Sequence, residues 1–412
     1  MKRLNLTTQI TLGMLVGMGL GIVGGHQLAS LKIIGDIFLR LIQMSVVFLI
    51  FGAVIEAIGS LDHKALSRLG GKTALWFFVT TVIAAAIGLG MGLLFRPGSG
   101  LQLGQLHAKS AVQTASGDWA TTILNFFPDN IFGALAKGDV IQVIVFALLF
   151  GLVLNHANQH QQFDGVLNLV KQLNQLTVNL VMLVMKAAPI GIGALMIGVT
   201  ADNGLRVILP LIKFLAIYGV STGLFLAALF LGISWYAHVP LFGLIRGFSR
   251  IMLVALTTTS SAVSLPIEMT DAHERLGVSE RINKLVLPLG MALNSNGLAM
   301  YLALVCVMLT QLYGVGTSVT GLMQIVALSV LACLGTVVVP GGGLVALTII
   351  VPTLGLPTAS IALLAGIDWF SGMFRTVANV VGDTTTAIAI ASDEDELDHS
   401  VYETIVHHAV NK

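Results

Sequence analysis

The apolar residues of this chain fall into long runs, separated by short clusters of glycine, proline or charged residues. A helix needs about 20 residues to cross the roughly 30 Å hydrocarbon core of a bilayer, and several of these runs are that long. Runs bounded in this way predict membrane-spanning helices. In the first part of the chain they lie at about 10–25, 33–58, 74–95, 140–155, 165–199 and 205–236.

After about residue 250 the apolar segments become shorter and are interrupted. One break is TTTSSAVSLP, from Thr257 to Pro266, and another is GTVVVPGGG, from Gly335 to Gly343. Unwound backbone at membrane depth is tolerated only where protein, water or a ligand satisfies its polar groups. Paired interrupted segments are typical of transporters whose repeats meet at a central binding site. The two breaks therefore predict such a site.

Two later spans carry polar residues near their middle. The span from Leu285 to Leu312 contains Asn294–Gly297, and the span from Ile361 to Ala391 contains four polar residues. The four polar residues of the second span are separated by seven, four and four positions. This spacing places them on one helical face, which we expect to point inward. A charge at the bilayer centre costs roughly 2.5–3.5 kcal/mol, so partners or ligands are expected. An internal Asp–Arg pair that only holds helices together is the structural alternative. The four residues are Asp368, Arg375, Asn379 and Asp383.

Composition and charge agree with a membrane protein. Of 412 residues, 56% are apolar and 10% are charged, against about 25% charged in ordinary soluble domains. The net charge is +1, with no basic patch that would indicate a nucleic-acid partner. Cys306 and Cys333 have neither zinc-ligand spacing nor a disulfide pattern. Basic residues before the first span and between the second and third predict a cytoplasmic amino terminus.

The ordered motifs of the chain resemble the dicarboxylate/amino acid:cation symporter family, which includes the glutamate transporters. They are the serine-rich break with its Leu265-Pro266, PLGxxxNxxG from Pro288, GTxxxPGxG from Gly335, and DxxxxxxRTxxNxxGD from Asp368. The resemblance implies an all-α integral membrane fold with eight spans and two re-entrant helical hairpins. It also implies a homotrimer in the plasma (inner) membrane and an elevator-like movement.

The resemblance also implies three regions and a function. Residues 1–250 would form mainly the scaffold, 251–392 the transport core, and 393–412 a solvated cytoplasmic tail; the third and sixth spans would belong partly to the core. The function would be secondary symport, coupling sodium or proton entry to uptake of a small acidic solute, without another cofactor. The solute would be a C4-dicarboxylate or an acidic amino acid.

Substrate and cation residues follow from the same resemblance. Arg375 would bind one substrate carboxylate and Asn379 with Ser261 the other, while Val339 and Gly343 would lie in a closing gate. Ser260, Gly372 and Thr376 complete the substrate set. A first cation site would use Gly290, Asn294, Asn379 and Asp383, and a second Ala292, Cys333, Leu334 and Thr336. A third would use Thr80, Thr81, Asn294 and Asn296.

Two departures from the family pattern sharpen the expectation. Asn296 stands where many members have an acidic cation ligand, which predicts fewer cations per cycle. Gly372 and Thr259 stand where amino acid carriers have an Asp and an Arg that serve the substrate ammonium. Because both halves of that ion pair are missing, we expect a dicarboxylate without an amino group to bind better than glutamate or aspartate.

Other classes of function are weaker interpretations. A passive channel or a membrane receptor on the same scaffold would not need the paired breaks. An enzyme would require Ser260 or Ser261 with His273 as base, but His273 lies in a charged segment. His156 and His160 have a spacing that could bind a metal ion, but a hydrated helix end is the favoured interpretation.

Overall fold

The computed structural model describes residues 6–60, 68–99, 124, 127–158, 163–334, 342–357 and 360–402. These residues are helical, apart from turns and an isolated bridge between Val278 and Leu397. The helices are α1 Leu6–Gly24, α2 Lys32–Gly59, α3 Arg68–Phe95, α4 Ile131–Lys137, α5 Val140–Ala157, α6 Asp164–Met185, α7 Ala188–Asn203, α8 Ile208–Tyr236, α9 Leu241–Thr258, α10 Ser261–Glu274, α11 Glu280–Leu293, α12 Asn296–Leu312, α13 Val319–Leu334, α14 Gly342–Thr353, α15 Ser360–Ala365 and α16 Asp368–Asp393.

Length and apolar composition would let six segments of the described chain cross a bilayer. They comprise α1, α2, α3, α8 and α9, together with α11 and α12 taken as one broken span. The bent pair α6 and α7 would make a seventh. The structure therefore confirms an all-helical protein with several membrane-spanning segments, as the apolar runs predict.

The span predicted over 165–199 is not one continuous helix. Two helices, α6 and α7, occupy this region and meet at 57°. They are separated by a turn at Lys186–Ala187, and Pro189 stands in the first turn of α7. Proline lacks an N–H and restricts the residue before it, so a continuous helix is interrupted at this point.

The span predicted from Ile361 to Ala391 is also divided. The short helix α15 ends at Ala365, and α16 begins at Asp368 after a turn. A Cβ atom added at Gly366 would lie 2.9 Å from the Met196 sulfur, which shows that the turn packs tightly against α7. The interruption places Asp368 in the first turn of α16 rather than in the middle of a span.

Close helix packing in the first half depends on small residues. A Cβ atom at Gly13 would lie 2.2 Å from the Pro189 carbonyl oxygen, and one at Gly17 would lie 2.2 Å from that of Gly193. These positions bring the backbones of α1 and α7 together. Small residues have this role in membrane helix pairs because lipid supplies little hydrophobic driving force between helices.

The second half is organised around α16, which packs against α3 and against α8 through α12. Residues Val380 to Ala391 of α16 are buried without interruption. The helix α12 is equally enclosed, with sixteen of its residues buried. A polar group on the inner faces of these helices must therefore find its partner within the protein.

Helices α9 and α10 form a helical hairpin. The backbone at its tip is strained. Thr259 ends α9 with a φ of 51°, in the left-handed region that β-branched residues rarely adopt. Ser260 then caps α10, with its side-chain oxygen accepting a hydrogen bond from the Val263 N–H. The serine-rich break is thus the turn between two helices.

The acidic segment after α16 is not a free solvated tail up to residue 402. The Asp398 N–H donates to the Gly277 carbonyl at 2.8 Å, and the buried Tyr402 hydroxyl donates to the Leu276 carbonyl at 2.8 Å. Glu396 pairs with Arg281 at 2.8 Å, and Glu394 with Lys72 at 3.0 Å. These contacts tie the segment to the connection between α10 and α11. Residues 403–412 lie outside the described part of the chain.

Candidate functional site

The break between α11 and α12 is satisfied by side chains from neighbouring helices. The Gly297 N–H donates to Asn379 Oδ1 at 2.8 Å, and the Tyr218 hydroxyl donates to the Gly297 carbonyl at 2.7 Å. Gly297 is needed because an added Cβ would lie 2.3 Å from the Arg375 carbonyl oxygen. Since Asn379 Oδ1 is engaged in this way, its Nδ2 group is the part that can donate to a ligand.

Arg375 is largely buried and has an anionic partner from its own helix. Its Nη1 atom is 3.3 Å from Asp368 Oδ1, and the side chains of the two residues are 12% and 7% exposed. The guanidinium carbon lies 5.3 Å from the centre of the Tyr301 ring, within cation–π distance. The pair joins two turns of α16, so the alternative of an Asp–Arg pair holding different helices together is not what the structure shows.

Both sides of the Arg375 guanidinium are bordered by glycine. A Cβ at Gly343, in α14, would lie 2.2 Å from both Arg375 Nη1 and Asp368 Oδ1. A Cβ at Gly372 would lie 3.3 Å from Arg375 Nη2 and 3.9 Å from the Cβ of Thr259. Gly372 and Thr259 are therefore neighbours in space.

The remaining predicted substrate residues lie around this pocket or outside the described chain. Ser260 is half-buried at the hairpin tip, and Ser261 and Thr376 are buried. Gly343 is brought to Arg375, whereas Val339 lies outside the described residues. The structure thus groups Arg375, Gly343 and Gly372 directly, with Asn379 one turn further along α16.

Asp383 lies two turns beyond Arg375 and has an incomplete set of partners. Its Oδ1 atom accepts a hydrogen bond from Asn294 Nδ2 at 2.7 Å. Its Oδ2 atom is buried and has no hydrogen-bond partner in the described part of the chain, and the residue is 0% exposed. A Cβ at Gly290 would lie 2.6 Å from Oδ1, so the α11 backbone lies directly against the carboxylate.

The predicted third cation set is only partly assembled. The Thr81 hydroxyl is 2.9 Å from Asn296 Oδ1 and 3.4 Å from Asn294 Oδ1. Thr80 instead bonds to the carbonyls of Trp76 and Phe77 in its own helix, as helical threonines commonly do. Asn296 Nδ2 is buried, and no described residue forms a hydrogen bond with it. The structure therefore joins Thr81 to the two asparagines and leaves Thr80 out.

The predicted second cation set is described only in part. Cys333 is buried near the end of α13. Ala292 is exposed on α11. Leu334 is the last residue of α13, its side chain is outside the described set, and Thr336 lies outside it altogether.

Sequence reasoning missed three residues that border the site. Tyr218 and Tyr301 are fully buried aromatic residues beside Gly297 and Arg375, and nothing in an apolar run distinguishes them from packing residues. Glu268 is also buried in α10, where its Oε1 atom lies within hydrogen-bond distance of the Thr384 hydroxyl oxygen, at 2.9 Å. An ionisable residue in an apolar segment is a signal that could have identified Glu268.

The enzyme interpretation fails on distance. Ser261 and His273 stand at opposite ends of α10, which at about 1.5 Å per residue separates them by roughly 18 Å. His273 Nδ1 instead contacts the Val278 carbonyl at 2.9 Å. His156 is exposed in the last turn of α5, and His160 lies outside the described residues.

Comparison with known proteins assigns the chain to one family. Residues 6–393 match the model of the sodium:dicarboxylate symporter family. A proton/glutamate-aspartate symporter of Bacillus subtilis (strain 168) is 32% identical over 93% of this chain and 95% of its own length. A proton/sodium-glutamate symport protein of Bacillus caldotenax is 31% identical, over 96% of each chain. A C4-dicarboxylate transport protein of Anaeromyxobacter sp. (strain K) is 31% identical, over 97% of this chain and 92% of its own length.

These relatives are transporters rather than enzymes, and the apolar helices make this chain a multi-pass membrane protein. The match extends from the first helix to the end of α16 and so includes every motif on which the resemblance rests. This chain belongs to the sodium:dicarboxylate symporter family.

Proposed function

We propose that this chain couples the entry of sodium ions or protons to the uptake of a small acidic solute. The observation that carries the proposal is the arrangement of charge along α16. Arg375 lies in a pocket closed by glycines, and Asp383, two turns further on, has a buried oxygen without a partner. A guanidinium fork suits a carboxylate, and a carboxylate among carbonyl and amide oxygens suits a hard cation.

The solute would contact Arg375 on the side not occupied by Asp368. Nη1 is held by Asp368, whereas Nη2 faces Gly372 and the tip of the first hairpin. A substrate carboxylate on that side would lie between α16 and the hairpin turn formed by Ser260 and Ser261. Asn379 Nδ2 would donate to the second carboxylate, because its Oδ1 already accepts from Gly297.

We further propose a preference for a C4-dicarboxylate without an amino group over glutamate or aspartate. Gly372 and Thr259 are adjacent and uncharged, so the pair that would serve a substrate ammonium is missing from the place where it would stand. Asp368 does not replace it, since its carboxylate is committed to Arg375. The relatives include carriers named for each substrate class, so the preference rests on these two positions.

A cation at Asp383 would complete the partners of a charge that is otherwise expensive inside a membrane protein. Asn294 donates a hydrogen bond to the carboxylate, and the Gly290 backbone lies against it. Thr81, Asn294 and Asn296 would form a weaker second polar cluster, because Asn296 contributes no charge.

The architecture that fits this function has eight spans, two re-entrant hairpins and an elevator-type movement within a homotrimer. Helices α9 and α10 would be the first hairpin, and α13 and α14 the second. The core would comprise 251–392 with parts of α3 and α8, which pack against α12 and α16. Residues 1–250 would otherwise form the scaffold in the inner membrane, and 393–412 the cytoplasmic tail.

Uptake by the purified protein in liposomes tests the proposal. Sodium or proton gradients are imposed separately, and labelled succinate, fumarate, malate, glutamate and aspartate are offered in turn. We expect concentrative uptake of at least one acidic solute that collapses when the driving gradient is removed. Uptake that only equilibrates the solute under every gradient would instead indicate a passive pathway.

A further inference from the structure

Glu268 is a buried carboxyl group to which the proposed substrate and cation sites give no role. It lies in the middle of α10, is 1% exposed, and has one oxygen, Oε2, without a hydrogen-bond partner among the described residues. Its other oxygen, Oε1, is 2.9 Å from the Thr384 hydroxyl of α16. Thr384 directly follows Asp383, so the first hairpin touches α16 beside the proposed cation site.

The Thr384 hydroxyl has a single proton to donate, and this indicates the protonation state of Glu268. The same hydroxyl oxygen is 2.9 Å from the Val380 carbonyl oxygen and 2.9 Å from Glu268 Oε1. A threonine hydroxyl has one proton to donate and two lone pairs to accept with. Both contacts are full hydrogen bonds if Thr384 donates to Val380 and the Glu268 carboxyl donates to Thr384. That arrangement requires a proton on Glu268.

None of the ion pairs among the described residues includes Glu268. The helices packed against α10 are α9, α11 and α16. On α16, the charged residue next to Thr384 is Asp383, which is itself acidic. From α9, Arg250 is paired with Asp271 at 3.2 Å, and Arg275, just after α10, is 3.6 Å from the same carboxylate.

The helix α11 adds no cation at this depth either. Its Asn283 amide donates to the Met269 carbonyl at 2.6 Å, and Lys284 is paired at 2.6 Å with Glu280 on the exposed surface. A second buried negative charge beside Asp383 would thus lack a counter-ion among the described side chains. Burial without a partner favours the neutral form of such a group.

We propose that Glu268 is a proton-binding site of the transport core and that a proton held there is a coupling ion. This inference rests on the proposed symport function and names one of its ions. Release would pass the proton from Glu268 to water and leave a carboxylate. The Thr384 hydroxyl would then turn from Val380 to donate to Oε1, so proton release would be coupled to a local rearrangement where the hairpin meets α16.

Infrared spectroscopy of the purified protein in lipid tests protonation without needing the substrate. The C=O stretch of a protonated carboxylic acid is separate from the carboxylate bands and shifts in D₂O. We expect this band at neutral pH in the wild-type protein, its loss in Glu268→Gln, and its retention in the matched control Glu280→Gln. Thr384→Val should shift the band upward, because the hydroxyl that accepts from Glu268 is gone; Thr384→Ser should not.

Two spectroscopic results would overturn the assignment. One is the absence of such a band at neutral pH, and the other is a band that persists in Glu268→Gln but disappears in Asp383→Asn. If Glu268→Gln does not fold, the pair of Thr384 variants decides instead, since a band unaffected by Thr384→Val cannot belong to a carboxyl bonded to that hydroxyl.

Transport assays provide a second test of the proposal. With a pH gradient and either labelled succinate or glutamate, we expect accumulation by Glu268→Gln to fall at least about tenfold below that of Glu280→Gln. Equal accumulation by the two variants would contradict a coupling role. If the wild-type protein carries neither solute, the proposed function fails for these solutes, while the infrared result still tests whether Glu268 holds a proton.

Discussion

Two buried charges on α16 are treated in opposite ways. Arg375 has a counter-ion, Asp368, from its own helix and an aromatic ring beside it, whereas Asp383 has one amide partner and a bare oxygen. The two residues are eight positions apart, or about 12 Å along the helix. The charge of Arg375 is balanced without a ligand, whereas the charge of Asp383 is not.

The difference bears on how solute and ion are coupled. Arg375 keeps a counter-ion when no solute is bound, because Asp368 lies on the same helix. The Asp383 pocket leaves a buried carboxylate uncompensated whenever it is empty, which is strongly unfavourable. We therefore expect substitutions at Asp383 to affect the driving ion first, and substitutions near Arg375 to affect the solute first.

The largest effect is expected from Asp383→Asn. An amide keeps the size of the side chain but removes the charge that would bind the cation, so ion-driven accumulation in liposomes should fall more than about a hundredfold. Asp393→Asn, at the end of the same helix, is the control. Its 3.5 Å contact with Lys72 is near the surface, where ion pairs contribute about 0–1 kcal/mol. Ion-dependent accumulation that is unchanged in Asp383→Asn would contradict the proposal that Asp383 binds the driving cation.

Gly343→Ala should weaken solute binding by at least about tenfold. The new methyl group would lie 2.2 Å from both Arg375 Nη1 and Asp368 Oδ1, so the ion pair or α14 must move. Gly223→Ala in α8 is a matched control, because nothing lies within 4 Å of its added Cβ. Binding is measured by displacement of labelled solute. Equal affinities in the two variants would show that the Gly343 contact is not part of the binding pocket.

The double substitution Gly372→Asp with Thr259→Arg should shift relative affinity from succinate toward aspartate by about tenfold, or about 1.4 kcal/mol. It rebuilds an ion pair at two adjacent positions and supplies a carboxylate for an ammonium group. Gly372→Asp with Thr257→Arg, which places the same charge on an exposed position of α9, is the control. A wild-type protein that already binds aspartate or glutamate at least tenfold tighter than every C4-dicarboxylate would refute the proposed preference.

The smallest effect is expected from Asn296→Asp, which should add one cation per transported solute without abolishing transport. The carboxylate would stand beside the Thr81 hydroxyl, now 2.9 Å from the Asn296 amide oxygen. The reversal potential in proteoliposomes measures the stoichiometry, and adding Thr81→Val should cancel the gain. A wild-type reversal potential that requires three sodium ions per solute would contradict the expectation of fewer cations.

Helical breaks could be predicted from the sequence where residue chemistry alone produces them. The hydroxyl-rich run around Ser260 is a break in the structure as in the prediction. The Asn294–Gly297 segment was expected to lie inside one span, and the structure instead ends α11 and begins α12 there. The break before Pro189 was missed because an apolar run was treated as continuous despite its proline. The separation of α15 from α16 could not be predicted in this way, because it depends on the contact of Gly366 with Met196, a residue far away in the chain.

By itself, the sequence determined the helical membrane fold, the family, and the four polar residues on one face of α16, since these follow from periodicity and motif order. Only the tertiary structure decided which of those polar groups have partners. Asp368 neutralises Arg375, Asn294 supports Asp383, and Glu268 reaches Thr384 from another helix. Spacing along one helix sets which residues share a face, but satisfaction of a buried charge depends on atoms brought together from distant segments.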